Sequence, residues 1–403
     1  MAYHTLDTLP ELSTEKEGLR VLLRCDLNVP IRDGRVTDGT RIERLVPTIG
    51  ELLAKRCRVI LISHFGRPKG RDVSEMSLRP ILEVLEQSLG LPVHFADDCA
   101  GDSALSLTNE LMPGEIGLLE NLRFHPGEEK NDPAFISALA RLGDIYVNDA
   151  FSAAHRAHAS TTGLAKVLPA AAGRLMQAEL EALESALGSP KRPVAAIVGG
   201  SKVSTKLALL ENLVGKVDRL AIGGAMANTF LRAIGTDVGS SLCEYDMLDT
   251  ARSVLVAADE CGCEVILPSD VVIASGFTEG ADYRTVKIAA IPADKMVLDV
   301  GEESANALSE SLKDCQTLLW NGPMGAFEVP PFNAGTNAVA LAAAALTRTN
   351  KLLTVAGGGD TVAALSAAGV VDDFSYVSTA GGAFLEWLEG KDLPGVSALR
   401  DLR

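Results

Sequence analysis

The stretch Val194-Ala195-Ala196-Ile197-Val198-Gly199-Gly200-Ser201-Lys202-Val203-Ser204-Thr205-Lys206-Leu207-Ala208-Leu209-Leu210-Glu211-Asn212-Leu213 decides the fold. The first five residues are an apolar run of strand length, and the last seven carry helical spacing. Between them lie a glycine turn and two cations. Lys202 and Lys206, four apart, are expected on one face of a first helical turn, where the helix dipole favours anions rather than cations. Two readings stay open. One is a plain strand-to-helix connection with two solvated lysines; the other is a phosphate site at a helix start. The spacing matches neither G-x-x-x-x-G-K-[ST] nor G-x-G-x-x-G.

Outward from this unit, apolar runs and amphipathic stretches alternate along the whole chain. Strands are expected at 19–23, 58–62, 92–95, 116–120 and 144–147, with helices at 44–53, 77–89, 103–111 and 133–142. A connecting helix at 175–187 ends at Gly188-Ser189-Pro190, a stop signal. Beyond it strands are expected at 194–198, 218–222, 264–267, 296–299, 317–320, 352–355 and 375–377, with helices including 333–346 and 361–368. The segment 276–285, rich in Gly and acids, reads as an exposed loop. This pattern implies α/β architecture: two doubly wound parallel-sheet domains of similar size, joined by an interdomain helix, with a cleft between them. The expected division is a first domain at 1–172, a connecting hinge at 173–188, a second domain at 189–388 and a tail at 389–403.

Composition narrows the function classes. The 403 residues suffice for two or three cores. Mean hydropathy is +0.18 and aromatics are only 4%, so Ala, Leu and Val carry the interior. A net charge of -16 argues against nucleic-acid or anionic-membrane surfaces. An anionic substrate must then be caught by a local basic cluster. Seven scattered cysteines without C-x-x-C form neither a disulfide framework nor a zinc site, and suit a reducing, cytoplasmic setting. Cys261-Gly262-Cys263 reads as two small buried thiols. The N-terminus lacks a signal-peptide pattern, and no apolar run is long enough to span a membrane.

Ligands of open α/β sheets bind beyond the carboxyl ends of the strands. In the second half these ends are glycines: Gly199-Gly200, Gly223-Gly224, Asn321-Gly322-Pro323-Met324-Gly325, Gly357-Gly358-Gly359-Asp360-Thr361 and Gly381-Gly382. Their number suggests a surface where backbone N–H groups approach a large ligand, and a nucleotide fits. Asp360 is either a helix N-cap or a holder of Mg2+ beside phosphate. Glu328 is either a solvated acid or an acceptor for ribose hydroxyls. In the first half the ends carry side chains instead: Arg24-Cys25-Asp26-Leu27-Asn28, Ser63-His64-Phe65-Gly66-Arg67, Glu120-Asn121-Leu122-Arg123 and Asn148-Asp149-Ala150-Phe151, with Arg41 and Arg156 in nearby loops. One arginine alone reads as a surface ion pair. Several at successive strand ends read as a forked-donor cluster for phosphate and carboxylate. His155 and His158 lack a third ligand. No nucleophile–base pair is evident, and phosphoryl transfer needs none.

These segments resemble phosphoglycerate kinase from end to end. Arg24–Pro30, Ser63–Gly70, Glu120–Asn131 and Asn148–Phe151 are similar to the family's sugar-acid side, and Gly199–Lys206, Trp320–Glu328 and Gly357–Thr361 to its nucleotide side. The resemblance implies reversible phosphoryl transfer between ATP and 3-phosphoglycerate with Mg2+, in glycolysis, by a cytoplasmic monomer that bends at a hinge. It implies that Asp26, Asn28, His64, Arg67, Arg123 and Arg156 hold 3-phosphoglycerate, and that Arg41 binds its carboxylate end and stabilises the moving phosphoryl. Lys202 would act on that group from the nucleotide side, and Lys206 would hold the nucleotide phosphates. Gly223 and Gly224 would flank the adenine, Asn321 and Glu328 the ribose, Gly357–Gly359 and Thr361 the nucleotide, and Asp360 the Mg2+. Gly381 and Gly382 would offer N–H groups to the transferred phosphoryl. The tail would fold back on the first domain. Departures from the family pattern are Phe65, Ser152-Ala153 and Ala380; the methyl of Ala380 could narrow the phosphate approach. A nucleotide-sensing protein without catalysis is the alternative, and it predicts loss of Arg41 or Lys202, both present. A Rossmann dehydrogenase is excluded by the missing glycine fingerprint.

Overall fold

The computed structural model describes residues 3–13 and 18–400. The last three residues of the expected tail lie outside them. The chain divides into two compact units. The first runs up to Leu180 and includes the tail from Asp392 on; the second is Glu181–Lys391. The division falls inside the helix Arg174–Leu183, whereas the sequence suggested boundaries on either side of it.

The first unit is built on six parallel strands, in spatial order Val93–Ala96, Ile116–Leu119, Arg58–Ile62, Arg20–Arg24, Ile145–Asn148 and Ala170–Ala172. Parallel sheets covered by helices on both faces bury consecutive residues. Val21, Leu22 and Leu23 are all fully buried, as are Val59, Ile60, Leu61 and Ile62. The second unit repeats the plan: Glu264–Ile266, Arg219–Ile222, Val194–Val198, Thr317–Asn321, Leu353–Gly357 and Tyr376–Ser378, again all parallel. Chain order reverses between 20–24 and 145–148 in the first sheet, and between 194–198 and 317–321 in the second. Those two switch points are where crevices open at strand carboxyl ends.

Four expectations are corrected here. Met296–Val300 belongs not to the parallel series but to a separate antiparallel sheet with Asp270–Ala274 and Tyr283–Lys287. The segment 276–285 is therefore loop only in part. Lys202 and Lys206 do not share a helical turn, because the helix spans Leu207–Val214 and Lys206 is its N-cap. Cys261 is exposed while Cys263 is buried. Ala170–Ala172 is an additional strand the sequence reading did not include. The tail packs on its own unit: Gly395 N donates to Ala154 O at 2.8 Å, and a Cβ on Gly395 would lie 2.9 Å from Ala154 Cα. Among the described residues no helix is long and apolar enough to cross a membrane.

Candidate active site

In the first unit, basic side chains converge because each leaves the carboxyl end of a neighbouring parallel strand. Arg24 ends the strand 20–24, His64 follows 58–62, Arg123 follows 116–119, and Arg156 follows 145–148. Arg24 is 1% exposed and Arg123 6%. Burial lowers the pKa of Arg123, and Arg156 and Arg24 push the same way; Glu129 and Glu128 oppose. Nε of Arg123 lies 3.3 Å from a Glu129 oxygen, and its Nη1 donates to Gly66 O at 2.6 Å. Burial also holds His158 down to about 4, with Arg123 and Arg156 adding to it. The imidazole of His64 is held well below its usual range by burial and then by Arg24, Arg123, His158 and Arg156. Glu128, fully buried, accepts from Ser160 N at 3.0 Å and Ser160 Oγ at 2.6 Å. Arg123, His64 and His158 are each pushed toward the neutral form by neighbouring cations as well as by burial, and a site of that kind gains by taking up an anion.

Beside this cluster lies a second group of bonds. Asp26 accepts from Arg41 Nη1 at 2.8 Å and from Ser152 Oγ at 2.5 Å on the same oxygen, Oδ2. Its other oxygen caps the N–H of Asn28, and Arg41 Nη1 also reaches Asn28 O at 3.1 Å. Asn28 Oδ1 accepts from Gly66 N at 3.0 Å, which ties this group to the loop carrying His64. The structure thus assembles Asp26, Asn28 and Arg41 in one hydrogen-bonded network and sets His64, Arg123 and Arg156 close enough to act on one another's charge. Arg67 is exposed and is joined to neither by a described hydrogen bond. Two residues take a part that the sequence reading did not assign: Arg24, quoted there only as a strand end, and Ser152, noted only as a departure, which pairs with Asp26.

In the second unit a cavity of about 610 Å³ opens at the switch point. One wall is the antiparallel sheet, through Val271, Met296 and Leu298; Gly200, Gly224, Met324, Glu328 and Asp360 line the rest. The wall did not follow from a reading that had no strand at 270–274 and put 296–299 in the parallel series. Lys206 reaches into the switch point itself. Its Nζ donates to Gly199 O at 2.5 Å, Asn321 O at 3.0 Å and Asn321 Oδ1 at 2.6 Å, bracing the two strands where chain order reverses. Burial lowers its pKa to about 8, against the pull of Asp360. Nδ2 of Asn321 donates to Gly357 O at 2.8 Å, so both ends of this carboxamide, in a residue 5% exposed, are held by protein. In this arrangement Asn321 sets the loop positions, in contrast to the ribose contact that the resemblance implies.

The glycines need a correction too. Gly223 N donates to Val198 O, and Gly224 N to Met324 O. A Cβ on Gly199 would lie 1.8 Å from Pro323 O, and one on Gly322 2.1 Å from Gly199 O. A Cβ on Gly224 would lie 2.6 Å from Gly200 O. These glycines let strand-end loops pack on each other, which is a stronger demand than ligand approach. Gly357 is similarly pressed on the Phe384 ring at 2.6 Å. Gly359 and Gly381 are different, with open space where a side chain would be. Thr361 Oγ1 accepts from Gly322 N at 2.7 Å. Gly382 opens the helix Gly382–Leu388. Ala380 is 6% exposed, so its methyl is turned into the protein. Lys202 and Asp360 are exposed. Asp360, in the first turn of the helix Gly359–Ala367, is a carboxylate on the cavity lining, and such a group with phosphate oxygens suits a hard cation.

Comparison with known proteins joins the two halves. The family model described as phosphoglycerate kinase matches residues 12–391. Relatives named phosphoglycerate kinase include one from Sinorhizobium medicae, 61% identical over 403 residues and covering 100% of each chain. Another, from Rhizobium meliloti, is 62% identical over 400 residues, covering 99% of each. Among solved structures, phosphoglycerate kinase from Coxiella burnetii superposes with a TM-score of 0.91 at 41% identity over 99% of each chain. The Pyrococcus horikoshii enzyme gives 0.80 at 29% identity over 98% of each. An anion cluster on one sheet, a nucleotide-sized cavity on the other and similarity along the full length lead to one conclusion: this chain belongs to the phosphoglycerate kinase family.

Proposed function

We propose that this chain catalyses reversible phosphoryl transfer between ATP and the carboxylate of 3-phosphoglycerate, giving ADP and 1,3-bisphosphoglycerate, and that it does so in the cytoplasm as a glycolytic enzyme. The observation that carries the reading is the cationic set of buried Arg24 and Arg123 with half-buried Arg156, whose charges act on one another. Glu128 and Glu129 offset part of that charge, and a small polyanion would offset the rest. The cluster would hold the phosphate end of the sugar acid, with His64 donating a hydrogen bond. Arg41, paired with Asp26, would turn its fork to the carboxylate and then to the migrating phosphoryl. Lys202 would meet that group from the nucleotide side, and the open backbone at Gly381 would leave room for its oxygens. The apolar wall of the cavity would take the base, Glu328 the ribose, and the Gly357–Thr361 loop with Lys206 the phosphates. Asp360 would hold Mg2+, whose charge, when bound, neutralises phosphate oxygens.

Transfer requires the two ligands to touch. The reading therefore includes a closing movement about the helix that joins the units, and a smaller radius of gyration in solution scattering with both ligands than with either. The reading includes a monomer, which the family resemblance implies, and no nucleic-acid or membrane partner, which the -16 net charge disfavours. A coupled assay for ADP tests the function: ADP release should need 3-phosphoglycerate. Nucleotide binding without turnover would favour the sensing alternative instead.

A further inference from the structure

Arg24 makes three hydrogen-bond contacts, one at each nitrogen of its guanidinium. Nε donates to Ser160 Oγ at 2.9 Å, Nη1 to Cys25 O at 2.5 Å, and Nη2 lies 3.0 Å from His64 Nδ1. The Ser160 hydroxyl, having accepted from Arg24, gives its proton to Glu128 Oε1 at 2.6 Å. The backbone at Ser160 is fixed as well, since Tyr146 OH donates to Ser160 O at 2.7 Å. A guanidinium has only donors. The nitrogen of His64 that faces it must therefore be an acceptor, and a neutral imidazole with an acceptor at Nδ1 carries its proton at Nε2.

We infer that Arg24 is a positioning residue: anchored through Ser160 to Glu128, it fixes His64 with the proton on Nε2, so that the ring can give a hydrogen bond to a ligand but cannot take one. The charges around the ring agree. Arg24, Arg123, Arg156 and His158 all disfavour an imidazolium here, and Glu128 faces Arg24 from behind. The ligand atom that meets His64 is thus an acceptor, a carboxylate or phosphate oxygen, rather than a hydroxyl proton. Arginine suits the task because its planar fork holds the serine and the histidine at once, which a lysine cannot.

The kinetic part of the test rests on the function proposed above; the spectroscopic part does not. Nitrogen-15 spectra of histidine rings in the ligand-free full-length protein should show His64 unprotonated at Nδ1 and protonated at Nε2 from about pH 5 to 8, a range in which a free histidine changes state. Ser160→Ala removes the anchor of Arg24. It should mix the two tautomers and raise the KM for 3-phosphoglycerate about tenfold, with kcat within about twofold, as for a contact equal in ground and transition states. A proton on Nδ1, or titration near the ordinary histidine value, overturns the inference. So does a Ser160→Ala protein with unchanged ring signals and KM. If Ser160→Ala does not fold, the wild-type spectrum decides alone. If 3-phosphoglycerate is no substrate, the proposed function fails while the ring spectrum still gives its own answer.

Discussion

Replacing Lys206 by Met tests whether the switch point is braced as described. The variant removes three donations, to Gly199 O, Asn321 O and Asn321 Oδ1. Hydrogen bonds from a charged donor are worth about 1.5 kcal/mol each at the low end, so the loss is about 4–5 kcal/mol. Against this, Met relieves the burial of a cation. The drop from 10.5 to about 8 corresponds to about 3 kcal/mol at ~1.4 kcal/mol per unit. The net expectation near neutral pH is a destabilisation of about 1–2 kcal/mol, a few degrees in melting temperature for a unit of this size. The sign with pH follows. The folded pKa lies below the unfolded one, so between about 8 and 10.5 the unfolded chain binds more protons and wild-type stability gains as pH rises. Lys206→Met lacks that gain, so the gap between the proteins should widen toward about 4 kcal/mol at high pH. Both tryptophans, Trp320 and Trp387, lie in the second unit, so denaturation followed by their fluorescence reports on that unit alone. Lys202→Ala is the contrast: its ammonium makes no hydrogen bond among the described residues, so it should leave stability unchanged and chiefly lower kcat. Equal stability of Lys206→Met and wild type at both pH values would refute the bracing argument.

Other outcomes follow from the same geometry. Gly199→Ala should destabilise the second unit by about 3 kcal/mol or more, because the added carbon meets backbone at Pro323 O rather than a movable side chain. Gly215→Ala, with open space around it, should shift denaturation by at most about 0.5 kcal/mol. Arg41→Ala should lower kcat by about 10³, and Arg41→Lys should recover little of it, because a point charge does not replace a fork; a rise in KM alone would confine Arg41 to substrate binding. For His158, buried with a folded pKa of about 4, the unfolded chain takes the proton first as pH falls from 6.5. Stability should drop through that window by up to about 3 kcal/mol, and His158→Gln should flatten the drop in urea titrations.

What could be read from the sequence has a physical limit. The parallel strands stood out because both of their faces are covered, so runs such as Val194–Val198 are apolar throughout. Tyr283–Lys287 is largely exposed and carries no such run, and Ala170–Ala172 is too small to give one. The apolar wall of the nucleotide cavity was hidden for another reason: Asp270–Ala274 was not read as a strand, and Met296–Val300 was assigned to the parallel series. Arginines at strand ends announced an anion site, but the depth of each depends on packing: Arg24 closes a buried strand, whereas Arg67 lies in the loop beyond one and is exposed. A spacing of four between Lys202 and Lys206 suggested a shared helix face; it failed because the loop, tied to Glu244 through Ser204 N and Oγ, delays the helix to Leu207. The strand-end glycines were legible as a group, yet their cause is loop-on-loop contact between segments distant in sequence, as Gly199 against Pro323 shows.

The central claim is that the carboxylate of 3-phosphoglycerate receives the terminal phosphoryl of ATP, and trapping that bond tests it most directly. An acyl phosphate reacts with hydroxylamine to give a hydroxamate, whereas a phosphate ester or free phosphate does not. With the purified chain, ATP, Mg2+ and 3-phosphoglycerate, labelled sugar acid should be converted to hydroxamate in step with ADP release, and neither should form when 3-phosphoglycerate is left out. Release of ADP that is independent of 3-phosphoglycerate, or that depends on it without hydroxamate, would contradict the account.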